Sequence, residues 1–93
     1  MNIHVTNLNL NVIESDLQRL FTAYGEVKSI ELLRDKLNNR SRGSAFINMP
    51  VDKEGEQAII NLHGFHFAGK TIAVAKVSYD GAKDNSAGKS SLL

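Results

Sequence analysis

Arg34, Lys36, Arg40 and Arg42 crowd a nine-residue stretch whose only acid is Asp35, although the whole chain carries a net charge of just +1. The acids gather elsewhere, at Glu14 and Asp16 and at Asp52, Glu54 and Glu56. A near-neutral protein with one basic edge can hold a phosphate backbone there and leave the rest of its surface indifferent to it. The competing reading is an ordinary solvated turn. A second candidate is Gly64-Phe65-His66-Phe67-Ala68-Gly69-Lys70-Thr71, which satisfies the phosphate-loop pattern of nucleotide hydrolases. That chemistry needs a strand before the loop and a helix after it. Here a helical pattern precedes and the β-branched run Thr71-Ile72-Ala73-Val74 follows, so the match is discounted. His4, His63 and His66 lack a carboxylate pattern that would complete a metal site. No Ser–His–Asp or Cys–His grouping is evident, and a chain this short has little room for a catalytic pocket. The expectation is no enzyme, no cofactor, no metal and no small-molecule substrate.

The elements that must position these residues follow from periodicity. Ile3-His4-Val5-Thr6-Asn7 alternates apolar and polar and reads as a strand with Ile3 and Val5 inward. Leu17, Leu20, Phe21 and Tyr24 recur at helical spacing, which predicts a helix over Glu14–Tyr24, stopped by Gly25 and weakly capped at its start. Val27–Leu33 reads as a second strand with Val27, Ile30 and Leu32 inward, a spacing that suggests a bulge or a late start. In Ser44-Ala45-Phe46-Ile47-Asn48-Met49, Ala45, Ile47 and Met49 share one face and Ser44, Phe46 and Asn48 the other. Phe46 could instead be core, but Ala45 and Ile47 already claim the inner face. Pro50 ends the strand. Asp52 is the expected N-cap of a second helix reaching Leu62, with Ala58, Ile59 and Leu62 inward and Gly55 a mild weakness. A short extended piece, Phe65–Phe67, and a turn at Ala68-Gly69 lead to a last strand over Lys70–Val77 with Ile72 and Val74 inward.

The order strand-helix-strand-strand-helix-strand implies an α+β, ferredoxin-like βαββαβ sandwich: a four-stranded antiparallel sheet with two helices on one face. Ninety-three residues with 42% hydrophobic content suit one globular domain, read as residues 1–78, and residues 79–93 read as a disordered tail. There is no cysteine, hence no disulfide or thiolate site. Met1-Asn2-Ile3-His4 does not read as a secretory signal, and no apolar run is long enough to span a membrane. A cytoplasmic location is expected, in which the Asn39-Arg40-Ser41 sequon is a coincidence.

Arg42-Gly43-Ser44-Ala45-Phe46-Ile47-Asn48-Met49 resembles the octamer motif of the RNA-recognition-motif family, and Ile3-His4-Val5-Thr6-Asn7-Leu8 resembles its hexamer. Phe-Thr-Ala-Tyr-Gly-Glu-Val at Phe21–Val27 and Leu62-His63-Gly64 look like two further family landmarks. The resemblance covers roughly Asn2–Val77 and is closest to the small stand-alone bacterial members. It implies that single-stranded RNA is bound on the open sheet face. Phe46 matches a base-stacking position. His4 stands where the family usually carries Phe or Tyr, and the alternative is a tolerated surface residue. Ser44 replaces a third aromatic. Thr6, Asn7, Glu31, Asn48 and Leu33 would be neighbours on or near that face, Arg34, Lys36, Arg40 and Arg42 would meet phosphate, and Lys76 and Tyr79 would follow the last strand. With one conventional ring, the implied binding is modest and charge-assisted. A monomer is expected. The rival is a protein-interaction domain of the same fold, motivated by the missing aromatics and an exposed Leu33.

Overall fold

The computed structural model describes residues 1–77. The expected tail, and Tyr79 with it, lie outside the described residues. Within them run β1 (Asn2–Thr6), α1 (Glu14–Thr22), β2 (Ser29–Arg34), β3 (Ser41–Asn48), α2 (Asp52–Leu62), a small hairpin of β4 (His66–Phe67) and β5 (Lys70–Thr71), and β6 (Ala73–Lys76). The main sheet has the antiparallel order β2-β3-β1-β6, so β1 and β3, which carry the two motifs, are its central strands. The ferredoxin-like α+β class is therefore the one observed.

Strand alternation places the core. Ile3, Val5, Ala45, Ile47, Met49, Ile72 and Val74 are fully or almost fully buried, and they meet Leu17 and Phe21 from α1 and Ala58 and Leu62 from α2. Leu20, Tyr24, Val27, Ile30 and Ile59 pack against that cluster half-buried. Burying apolar surface at about 25 cal/mol per Å² is what holds the helices to one face.

Several boundaries differ from expectation for local reasons. Helix α1 ends at Thr22, and Ala23 is its C-cap. Its start lacks a side-chain acceptor at Ile13, but the Ile13 amide donates to the Asp16 carboxylate at 3.0 Å. Strand β2 enters the sheet late, at Ser29, as the spacing of Val27, Ile30 and Leu32 suggested, and its register also shifts between Leu32 and Arg34. Strand β3 starts three residues earlier than expected, at Ser41, because the loop before it is short and self-bonded. Val51, not Asp52, is the N-cap of α2. Asp52 is the first helical residue, and its carboxylate lies 3.5 Å from the Met1 amino group. Gly55 is buried in α2, and a Cβ there would lie 2.6 Å from Met1 Sδ, so the Met1 side chain packs where a larger residue would stand.

The single last strand expected over Lys70–Val77 is two. Ala68 and Gly69 both have positive φ, at 51° and 84°, the signature of a tight hairpin turn, so Lys70–Thr71 folds back on His66–Phe67. After Ile72 the chain crosses to the main sheet as β6. This hairpin is where the phosphate-loop pattern lies; the strand β6, and not a helix, comes directly after it, so the pattern does not cradle an anion in the required way.

Candidate nucleic-acid interface

Register turns the two central strands into a platform. Cross-strand partners point to the same face of a sheet. Glu31 on β2 faces Phe46 on β3, Phe46 faces His4 on β1, and His4 faces Ala75 on β6. These four residues form one row across the whole sheet on the face away from the core. A second row runs Ser29, Asn48, Asn2, and a third pairs Thr6 with Ala73. Ser44, two residues before Phe46, shares that face and is half-buried.

The rings of His4 and Phe46 lie parallel, with centroids 4.6 Å apart and planes 14° from each other. Both are half-buried. Beside Phe46 the face sinks into a groove of about 340 Å³ lined by Asn2, Ser29, Glu31, Phe46, Asn48 and Val77. An Asn48 amide hydrogen is held by Asn2 Oδ1 at 2.8 Å. Flat rings on an otherwise polar, open sheet present π-faces to flat ligands, and small polar groups around them offer hydrogen bonds to a ligand's edges.

The basic segment divides. Arg42 is exposed and shares the strand parity of Ser44 and Phe46, so it stands at the edge of the open face. Lys36 and Arg40 are exposed in the β2–β3 loop. That loop is held by its own short bonds: Asp35 Oδ1 accepts from the Leu37 amide at 2.8 Å, Asn38 Oδ1 accepts from the Arg40 amide at 3.0 Å, and the Asp35 amide donates to the Arg40 carbonyl at 2.7 Å. Arg34 goes elsewhere. It pairs with Ser41 in register, after the β2 irregularity, and its guanidinium meets Glu14 Oε1 at 2.9 Å at the start of α1.

Three other expected residues sit apart from the platform or are otherwise engaged. Lys76 pairs with buried Ile3, so its side chain leaves the sheet on the helix side. Asn7 ends β1 in a left-handed conformation, φ 62°, and its amide donates to the Thr71 carbonyl at 2.8 Å. It ties β1 to the hairpin, as Asn9 does through the Ala68 carbonyl at 3.0 Å. Leu33 is half-buried and is not an exposed apolar residue; those are Leu10, Ile13, Leu37, Val51, Ile60 and Phe65.

Sequence reasoning passed over Asn2, Ser29 and Val77 as groove residues. Extending the alternation of β1 by one residue would have found Asn2, which shares the parity of His4. Ser29 and Val77 needed the register. The motif glycine Gly43 has φ 77°, and a Cβ there would lie 3.0 Å from the Leu8 carbonyl. The Leu8 amide donates to the Gly43 carbonyl at 2.9 Å, so this close approach joins the two motifs. Among the described residues no cluster of three His, Cys, Asp or Glu could hold a metal. His63 Nδ1 accepts instead from the Val74 amide of β6 at 3.1 Å.

The open four-stranded sheet, its β2-β3-β1-β6 order and the two helices on one face define the class of fold. The family model described as RNA recognition motif matches residues 3–73, and the chain belongs to that family. The family is described by RNA recognition and not by a catalytic activity. RbpD of the cyanobacterium Nostoc sp., whose name describes it as an RNA-binding protein, is 40% identical over 76 residues, which are 82% of this chain and 81% of RbpD. The crystal structure of RNA Binding Protein PG1 superposes with a TM-score of 0.81 at 38% identity, covering 83% of this chain and 93% of that one. A structure described as an SXL-lethal protein–RNA complex gives a TM-score of 0.76 at 33% identity over 80% of this chain and 46% of that one.

Proposed function

We propose that this chain binds single-stranded RNA on the open face of its sheet, as the names of its relatives also suggest. The observation that carries the reading is the parallel His4–Phe46 pair at the centre of that face. Unpaired bases stack on the rings, each stacked base being worth about 1–3 kcal/mol. Lys36, Arg40 and Arg42 attract phosphate, and Thr6, Ser44 and Asn48 offer hydroxyl and amide groups to ribose and base edges. Arg34, Asn7 and Lys76 take a smaller part, because the first two have intramolecular partners and the third points away. The domain acts as a monomer in the cytoplasm. Among the described residues no helix is long and apolar enough to cross a membrane.

Backbone NMR during titration with short single-stranded RNA pools tests this. Shifts should concentrate at His4, Thr6, Ser44, Phe46, Asn48 and Arg42 and weaken with added salt. Shifts confined to α1 and α2, or none at micromolar RNA, would refute it. A protein partner is the second reading, and the observation favouring it is a depression of about 280 Å³ beside α1, lined by Asn9, Asn11, Val12, Asp16, Phe67 and Ala68. A stoichiometric partner retained after nuclease treatment, and lost when Phe67 is replaced, would support that alternative.

A further inference from the structure

We propose that Glu31 makes the groove beside Phe46 a guanine subsite. The inference rests on the RNA-binding reading and adds to it the base that this position selects.

Glu31 is the direct cross-strand neighbour of Phe46 and lines the same groove. It is exposed, and its carboxylate makes no hydrogen bond or ion pair among the described residues. Arg34, three residues along β2, is bound to Glu14 and does not neutralise it. A bare carboxylate on a face that must approach a polyanion is unfavourable on electrostatic grounds alone. It becomes favourable when a stacked base donates hydrogen bonds to it, since an ionised carboxylate only accepts and its two oxygens suit two parallel donors.

The four bases differ sharply in what they can offer. On its Watson–Crick edge guanine carries N1–H beside N2–H₂, two adjacent donors at the spacing of two carboxylate oxygens. Adenine and cytosine each place one amino group next to a bare ring nitrogen, whose lone pair repels the second oxygen. Uracil places one N–H between two carbonyls. A ring stacked on Phe46 with its edge toward β2 therefore meets Glu31 favourably only when it is guanine. The Ser29 hydroxyl, two residues away on the same strand face, and the Asn48 amide line the groove and supply donors for guanine O6.

The test uses fluorescence anisotropy with labelled octamers of uridine carrying one central G, inosine, A, C or U, at fixed salt. A good bidentate pair discriminates by at least about fivefold, so the G octamer should bind about tenfold more tightly than the A, C and U octamers. Inosine, which keeps N1–H and O6 but lacks the N2 amino group, should fall between, about threefold weaker than G. Glu31→Gln should bring the G octamer to within about twofold of the others while leaving the uridine octamer bound as well or better, because a negative charge is removed. The inosine comparison needs no variant and so stands whether or not Glu31→Gln folds. Equal binding of all five octamers by the parent, or a G preference unchanged in Glu31→Gln, would overturn the guanine subsite and leave RNA binding intact. Failure of every octamer to bind at micromolar concentration, with no NMR shifts, would overturn both.

Discussion

Replacing Phe46 by alanine separates the platform's two roles. The ring is half-buried on the open face and lies 4.6 Å from His4. Its removal costs the stacking of one base, about 1–3 kcal/mol, which is a five- to 150-fold rise in Kd. It also costs the ring pair, about 0.5–1.5 kcal/mol of stability. The cavity penalty that accompanies core truncations does not apply, since the vacated space opens to solvent and the core beneath is filled by Ala45 and Ile47. Stability should therefore fall by about 1 kcal/mol, or roughly 4–8 °C in Tm for a domain of this size. Anisotropy titrations with a labelled octamer and thermal unfolding followed by circular dichroism read the two effects separately. A double-mutant cycle with His4→Ala should give a stability coupling of about 0.5–1.5 kcal/mol, because each single variant already breaks the same ring pair. A folded Phe46→Ala variant that binds within twofold of the parent would refute the stacking argument. A loss of several kcal/mol in stability would refute the placement of the ring outside the core.

The charged residues should divide by assay. Arg42→Ala should lower the salt slope of binding by about 0.7, one phosphate contact on a single strand. Arg34→Ala should leave that slope unchanged and cost about 1 kcal/mol of stability, as expected for a half-buried ion pair with Glu14. His63→Ala leaves the Val74 amide of the edge strand without its acceptor and should cost about 1 kcal/mol in denaturant unfolding, whereas His63→Asn, whose carbonyl oxygen can take the place of Nδ1, should cost less than half of that. Ala68 occupies a left-handed conformation in the hairpin turn, so Ala68→Gly should raise stability by about 1 kcal/mol without altering RNA affinity.

The parts of this molecule that could be read in the chain are those governed by local rules. Alternation in Ile3–Asn7 and Ser44–Met49 is enough to say that His4, Thr6, Ser44, Phe46 and Asn48 face away from the core. Helical spacing is enough to say that Leu17, Phe21, Ala58 and Leu62 face into it. The parts that resisted reading depend on contacts between distant residues. Arg34 and Arg42 are alike in the sequence, but Arg34 shares the strand parity of buried Leu32 and meets Glu14 at the start of α1, a partner twenty positions away. Asn7 looks like another polar residue of the sheet until its left-handed backbone carries its amide to Thr71, sixty-four positions away. Lys76 changes face on the strength of one register pair, with Ile3.

These differences change the expected balance of forces. Reading the chain alone, the basic stretch had to supply most of the affinity, since only one conventional ring was present. In the folded protein Arg34 is committed to Glu14, which leaves three exposed cations in that stretch, and the substitute ring His4 is aligned with Phe46 rather than isolated. Next to that pair lies a polar groove lined by Glu31, whose carboxylate has no partner among the described residues. Charge distributed along a loop attracts any phosphate backbone equally and so raises affinity without selectivity. A carboxylate beside a stacking ring lowers affinity for most bases and spares one. On the guanine-subsite proposal the two contributions separate by assay: substitutions at the Phe46 groove should change base preference, and substitutions of Lys36, Arg40 or Arg42 should change the salt slope.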